Sequence, residues 1–212
     1  MQRIWRYLKS QLAVIMCAVL TVALLGAGLL PCSSTEIVDY SAEDMPIAPL
    51  TEELSSPLRD VIVEKLKTQD RVKLDLFVMS QCPFAVRAEQ ALAPILKEFG
   101  DQIDFTLYFI ASEDGSGGFT SLHGQPEVAE DIRQAVMGKY YPNKYFDYIV
   151  ARAANYQDGD WEQQALELGI DVERVRAIVA SEEGEKLLWA NIQKGNELGI
   201  RASPTLLIEA WS

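Results

Sequence analysis

From Val72 the chain alternates. Val72, Leu74, Leu76 and Val78 are apolar and share one side, while Lys73, Asp75 and Phe77 take the other, a period of two that predicts a strand. Residues 86–99 change period: Ala88, Leu92, Ile95, Leu96 and Phe99 fall on one side of a helix. Residues 103–110 (IDFTLYFI) read as a second strand. A helix between two strands predicts a parallel βαβ unit. Beyond it the pattern is helical over residues 127–139, 142–154, about 160–168, 171–181 and 184–198, with Gly169, Gly184 and Gly199 at ends or breaks. Asp171 is placed to cap the fourth of these helices. Residues 205 to about 209 supply one more strand, and the glycine-rich stretch 112–118 (SEDGSGG) predicts the most flexible connection, dividing the strand half from the helical half.

Upstream the pattern is different. Residues 12–30 (LAVIMCAVLTVALLGAGLL) are uncharged and follow Arg3, Arg6 and Lys9. As a helix this run spans about 28 Å, close to the hydrocarbon thickness of a bilayer. Bases before it and no acid until Glu36 predict an N-in, C-out orientation. Its length favours an uncleaved anchor over a cleaved signal peptide. Leu29-Leu30-Pro31-Cys32 looks like a bacterial lipoprotein cleavage box, although proline stands where a small residue is expected. Either way the body lies on the extracytoplasmic (periplasmic or extracellular) side, tethered to a membrane. Residues 32–57, with Pro46, Pro49 and Pro57 and no apolar period, read as a flexible tether, and 58–67 as a short helix leading into the domain. The expected organisation is therefore an anchor or signal at 1–31, a tether at 32–57 and one domain at 58–212.

Composition narrows the function. The 212 residues carry 31 acids against 19 bases, a net charge of -12, which repels phosphate backbones and argues against nucleic-acid binding. Three cysteines and one histidine are too few soft ligands for a tetrahedral zinc site and too few thiols for a disulfide scaffold, so no metal or cofactor is expected.

One cysteine has a physical reason to react. Cys82-Pro83-Phe84-Ala85 falls between the first strand and its helix, so Cys82 sits at a helix start, where unpaired N–H groups and the dipole stabilise an anion. Thiolates at such positions are the reactive form of cysteine. Pro83 is sterically favoured in a first helical turn. The competing reading is a buried, inert thiol.

Near the C-terminus Ser203-Pro204-Thr205 precedes a strand, and with Cys82-Pro83-Phe84-Ala85 the chain resembles the thioredoxin superfamily, in particular its DsbA-like branch with a helical insertion. The resemblance covers roughly residues 70–209. It implies an α/β thioredoxin-like fold with a helical insert at about 119–199, a cis peptide before Pro204, and a Ser203–Thr205 loop lying against the Cys82 sulfur and pairing with substrate backbone. Cys82 would be the nucleophile, and Pro83, Phe84, Ser203 and Thr205 would touch the substrate. Ser121-Leu122-His123-Gly124-Gln125-Pro126-Glu127 resembles the H-G-x-x-E element of the gamma-interferon-inducible lysosomal thiol reductase relatives. His123, the chain's single histidine, and Glu127 are thus possible accessory groups, against the plainer reading of a loop histidine and a first-turn acid. Tyr140, Tyr141, Tyr145, Phe146, Tyr148, Trp161 and Trp189 read as insert core rather than a ligand box.

The departure from the pattern decides the expected chemistry. Ala85 occupies the position of the resolving cysteine, so a mixed disulfide at Cys82 cannot be resolved within its own turn. The expectation is a divergent monothiol thiol–disulfide oxidoreductase or isomerase-like protein acting on cysteine-containing protein substrates, with release by another substrate thiol or a small thiol. The alternatives are a non-catalytic thioredoxin-like binding module and a truncated, decayed paralogue. The last rests on the chain stopping at Ser212, soon after the 205–209 strand, which predicts a C-terminally incomplete fold with an exposed sheet edge, marginal alone or completed by a partner.

Overall fold

The computed structural model describes residues 47–157 and 160–210. The apolar run at 12–30, the Cys32 box and the last two residues lie outside them. No helix among the described residues is long and apolar enough to cross a membrane.

Helix α1 (Ile47–Leu66) leads into strand β1 (Val72–Val78), helix α2 (Pro83–Phe99), a single 3-10 turn and strand β2 (Ile103–Phe109). β1 and β2 run parallel in the register Val72↔Ile103 to Val78↔Phe109, as the βαβ pattern predicts. β5 (Thr205–Ala210) returns antiparallel on the other side of β1, pairing Phe77 with Thr205 and Lys73 with Glu209. The order β2-β1-β5 makes β1 the central strand. Central position explains its burial on both faces: Phe77 and Asp75 are as buried as Leu74 and Leu76. Lys73 donates to Asp75 at 2.7 Å, which raises the Lys73 pKa above its ordinary value.

α1 starts eleven residues before the short helix expected at 58–67. Pro57 lies inside it, because one missing N–H and one displaced i−4 carbonyl are tolerated where the helix is held from outside. Ile62 is fully buried, and Arg59 joins Glu98 of α2 through both oxygens, at 2.5 Å for the shortest contact.

Five helices follow: α3 (Gln125–Tyr140), α4 (Pro142–Ala154), α5 (Trp161–Glu167), α6 (Val172–Val179) and α7 (Glu182–Glu197). Asp160, Asp171 and Ser181 each cap a helix, accepting from the N–H of Gln163, Arg174 and Glu183. Val136, Met137, Tyr148, Ile149 and Leu188 join the sheet's core. Trp161 packs against it beneath the Arg133 guanidinium, 4.4 Å from the ring centre. Trp189 departs from the insert-core expectation: it is 37% exposed, on the outer side of α7.

The 112–118 stretch carries local structure. Strands β3 (Ser112–Glu113) and β4 (Phe119–Thr120) form a small antiparallel hairpin. One oxygen of Asp114 accepts from Ser116 N, Ser116 Oγ and Gly118 N at 2.8 to 3.0 Å. Those bonds favour the charged form and lower the Asp114 pKa.

Candidate functional site

Strand β1 ends at Val78, and Met79–Gln81 turn the chain into α2. Cys82 is the N-cap of that helix, in extended conformation (φ -74, ψ 120), with Pro83 in the first turn. The turn closes through Cys82 N donating to Met79 O and Val86 N donating to Cys82 O, both at 3.0 Å. Cys82 is 6% exposed.

The loop before β5 meets this turn. Ser203–Pro204 is a cis peptide, as the resemblance implies. Ser203 holds the turn twice: its Oγ accepts from Met79 N at 2.8 Å, and its carbonyl lies 3.7 Å from Cys82 Sγ as the thiol's acceptor. Thr205 Oγ1 donates back to Ala202 O at 2.7 Å, tightening the loop. The structure thus brings Cys82, Pro83, Ser203, Pro204 and Thr205 together. Phe84 sits beside Cys82 but projects outward, 63% exposed, with the Arg87 guanidinium 5.8 Å from its ring centre. Ala85 is fully buried in the core, so the position a resolving cysteine would hold is sealed by packing.

His123 and Glu127 are both at the site's edge, and Glu127 is its hub. The Glu127 carboxyl is completely buried. One oxygen accepts from Gln81 N at 2.8 Å and contacts His123 Nδ1 at 2.9 Å. The other accepts from Ser121 Oγ and, at 3.2 Å, from His123 N. One turn further along α3, Asp131 accepts from Ser80 N at 3.2 Å. The two residues preceding Cys82 therefore hand their backbone N–H groups to carboxyls of the insert.

Ser80 and Asp131 were not among the candidates, and neither were Glu130, Gln134 and Glu89 behind them. Glu127, Glu130, Asp131 and Gln134 follow the i, i+3, i+4, i+7 spacing of a buried helical stripe, and all four are at most 3% exposed. Its polarity left no apolar period to mark it as the buried face. Glu130 is well served, by Arg133, Gln134 Nε2 at 2.8 Å, Arg152 Nε at 3.1 Å and Tyr148 OH at 3.4 Å. Glu89 of α2 is not: one of its oxygens lacks a partner, and burial followed by the nearby Glu130 and Asp131 charges raises its pKa to about 8. Burial likewise raises the Asp131 pKa well above its ordinary value. Both are pushed toward the neutral, protonated form.

No family model matches the chain, and no curated protein matches it in sequence. Solved structures do. The chain superposes on oxidised BdbD from Bacillus subtilis with a TM-score of 0.54 at 13% identity, over 68% of this chain and 79% of that one. It superposes on the thiol-disulfide exchange protein alpha-DsbA2 from Wolbachia pipientis with a TM-score of 0.52 at 13% identity, over 74% and 89%. The fold is DsbA-like thioredoxin. Within that fold Cys82 stands between the central strand and its helix, and the α3–α7 insert supplies the carboxyls that hold the turn. At such identities the likeness is one of fold, and the chemistry rests on the residues described above.

Proposed function

We propose that this protein is a monothiol thiol–disulfide exchange protein acting on polypeptides outside the cytoplasm, held at a membrane by its N-terminal apolar run. The observation that carries the reading is the placement of Cys82 Sγ, at a helix start and 3.7 Å from the Ser203 carbonyl. The thiolate is the form of cysteine that attacks disulfides. The Cys82 thiolate attacks one sulfur of a substrate disulfide, forming a mixed disulfide, and the other substrate sulfur leaves as a thiolate. Pro204 and Ser203 line the approach beside the sulfur, and Pro83, Phe84 and Thr205 complete the rim. Glu127 and Asp131 hold the turn's geometry, with His123 on the Glu127 carboxyl. Because Ala85 has no thiol, release needs a thiol from outside the turn.

The test is a gain of function. Ala85→Cys restores a C-x-x-C turn and should raise reductase turnover on a disulfide-bonded protein, while Cys82→Ser should abolish it in either background. Equal turnover with Ala85 or Cys at that position contradicts the proposal. Tethering is tested separately: carbonate extraction should leave the intact chain in the membrane fraction, and a mature species starting at Cys32 with lipid mass contradicts the uncleaved anchor.

A second reading has an observation of its own. Cys82 is 6% exposed, whereas Phe84 beside it is 63% exposed, a surface suited to binding an extended peptide without exchange. Under that reading peptide affinity is unchanged by Cys82→Ser and lost with Phe84→Ser.

A further inference from the structure

A groove of about 350 Å³ runs between the β3–β4 hairpin and the start of α7. Glu182, Glu185, Lys186 and Trp189 line one side, at the i, i+3, i+4, i+7 spacing that puts them on one face of α7. Glu113 and Phe119, paired across the hairpin, line the other. Both walls are held in place. Three hydrogen bonds to Asp114 fix the hairpin, and Gln125 Nε2 donates to Phe119 O at 2.9 Å, tying β4 to the start of α3. On the helix side Leu188, next to Trp189, is fully buried in the core.

The groove joins two chemistries that one cation serves together. Its aromatic wall is Trp189, 37% exposed, with the partly buried Phe119 across from it. Ring faces attract cations, and Trp does so most strongly. Elsewhere the chain fills such faces itself: Arg133 lies over Trp161, Arg87 over Phe84 and Arg59 over Phe99. Among the described residues no cation lies over Trp189. The charges of the lining are three carboxylates against one ammonium. Lys186 pairs with Glu182 at 2.9 Å, which leaves Glu113 and Glu185 with no ion pair or side-chain hydrogen bond among the described residues.

Two features select the kind of cation. Among the described residues no group of acids, histidines or cysteines is placed to hold a metal ion, so these carboxylates are spread along the groove rather than gathered on one point. A long organic cation suits that spread. A guanidinium is planar, stacks on an aromatic face and offers parallel N–H groups to a carboxylate, whereas an ammonium is a strongly hydrated point charge. The groove is also open to solvent along its length, and its volume is at the low end of the roughly 300–1,000 Å³ of sites that enclose a whole small molecule. It fits one side chain entering from a polypeptide that stays outside.

We propose that this groove docks an arginine side chain of a partner polypeptide, with the guanidinium on the Trp189 ring and its N–H groups on the Glu113 and Glu185 carboxylates. None of the lining belongs to the Cys82 turn or the Ser203–Thr205 loop, so the proposal is independent of the chemistry at Cys82. A chain of net charge -12 also attracts any basic peptide through its overall field, and the test separates a built site from that attraction.

The full-length chain is titrated by calorimetry, at about 0.15 M salt, with the end-capped peptide Ser-Gly-Arg-Gly-Ser and with versions carrying lysine or neutral citrulline in place of arginine. The arginine peptide should bind about tenfold tighter than the citrulline peptide and about threefold tighter than the lysine peptide. Trp189→Leu, which keeps an apolar wall without the ring face, should weaken the arginine peptide about fivefold. Glu185→Gln should weaken it about threefold and leave the citrulline peptide unchanged. Asp101→Asn, which removes an exposed acid outside the groove, should change nothing. All three positions are exposed, and a melting temperature equal to that of the unaltered chain checks that each variant folds. Arginine and citrulline binding alike, Trp189→Leu without effect, or Asp101→Asn weakening binding as much as Glu185→Gln overturns the proposal. So does calcium chloride that binds and is lost in Glu185→Gln while the arginine peptide does not bind, which would make the groove a metal site.

Discussion

Replacing Glu127 by glutamine probes the joint between the insert and the reactive turn. The carboxyl accepts from two backbone N–H groups, those of Gln81 and His123, one on each oxygen, and is completely buried. Glutamine keeps the shape but offers one oxygen. With that oxygen toward Gln81, the His123 N–H faces an NH2 group; with the amide turned over, the Gln81 N–H does. Ser121 Oγ and the His123 ring can reorient to accept from the new NH2, whereas a backbone N–H cannot. Either orientation therefore costs one part-buried backbone N–H its acceptor beside a fully buried side chain, roughly 1–3 kcal/mol. Taking about 2 kcal/mol, and about 2–4 °C per kcal/mol for a domain of this size, Glu127→Gln should lower the melting temperature by about 4–8 °C. Glu127→Ala, which removes the whole hub, should cost about 3–5 kcal/mol, a large share of a domain's roughly 5–15 kcal/mol. Thermal melts followed by circular dichroism, with urea titration to check that the m-value is unchanged, read both. A Glu127→Gln melt within about 1 °C of the unaltered chain would refute the claim that this carboxyl holds the turn.

Glu89 gives a pH dependence: its pKa is raised from 4.5 to about 8 in the folded chain, so folding takes up a proton between those values. The stability tied to its neutral form is full below about pH 4.5 and lost as pH rises through about 8, so Glu89→Gln should flatten the decline of stability across that interval in urea titrations at several pH values; an unchanged slope contradicts the assignment. Ser203→Ala removes the acceptor of Met79 N–H and should cost about 1–2 kcal/mol in the same titration, with a change in Cys82 alkylation rate that a distant substitution of equal cost does not give. Asp114→Ala removes three hydrogen bonds from an exposed hairpin, and should speed amide exchange at Ser116 and Gly118 while moving global stability by less than about 1 kcal/mol.

The parts of this fold that were legible in the sequence are those where apolar period and burial coincide. The alternation from Val72 to Val78, the helical run ending at Phe99 and the IDFTLYF strand sit where their patterns put them, as does Pro142–Ala154 to the residue. Asp171 caps as its type suggests, and the cis peptide before Pro204 followed from the resemblance. Three features escaped, each for a physical reason. Pro57 was read as a breaker, but α1 is held by packing against α2 and the Arg59–Glu98 pair, which outweigh one lost backbone bond. The SEDGSGG stretch was read from its glycines, while Asp114, its organiser, acts through side-chain bonds that composition does not weigh. The inward stripe of α3 is polar at Glu127, Glu130, Asp131 and Gln134, so no apolar period marked which face of the predicted helix is buried. Of the site, Cys82, Pro204 and the Glu127–His123 pair were named in advance. The contribution of Asp131 to Ser80 depends on segments far apart in sequence and needed the fold.

The central claim is that Cys82 exchanges disulfides and lacks a second thiol in its own turn to finish the exchange. The most direct measurement is to incubate the chain with a scrambled disulfide protein, quench in acid at a series of times, and follow the adduct at Cys82 by peptide mass mapping. The account predicts an adduct that forms through Cys82 alone, persists until an external thiol is added, and becomes short-lived in Ala85→Cys. Absence of any adduct, or one whose lifetime is the same with alanine or cysteine at position 85, would contradict it.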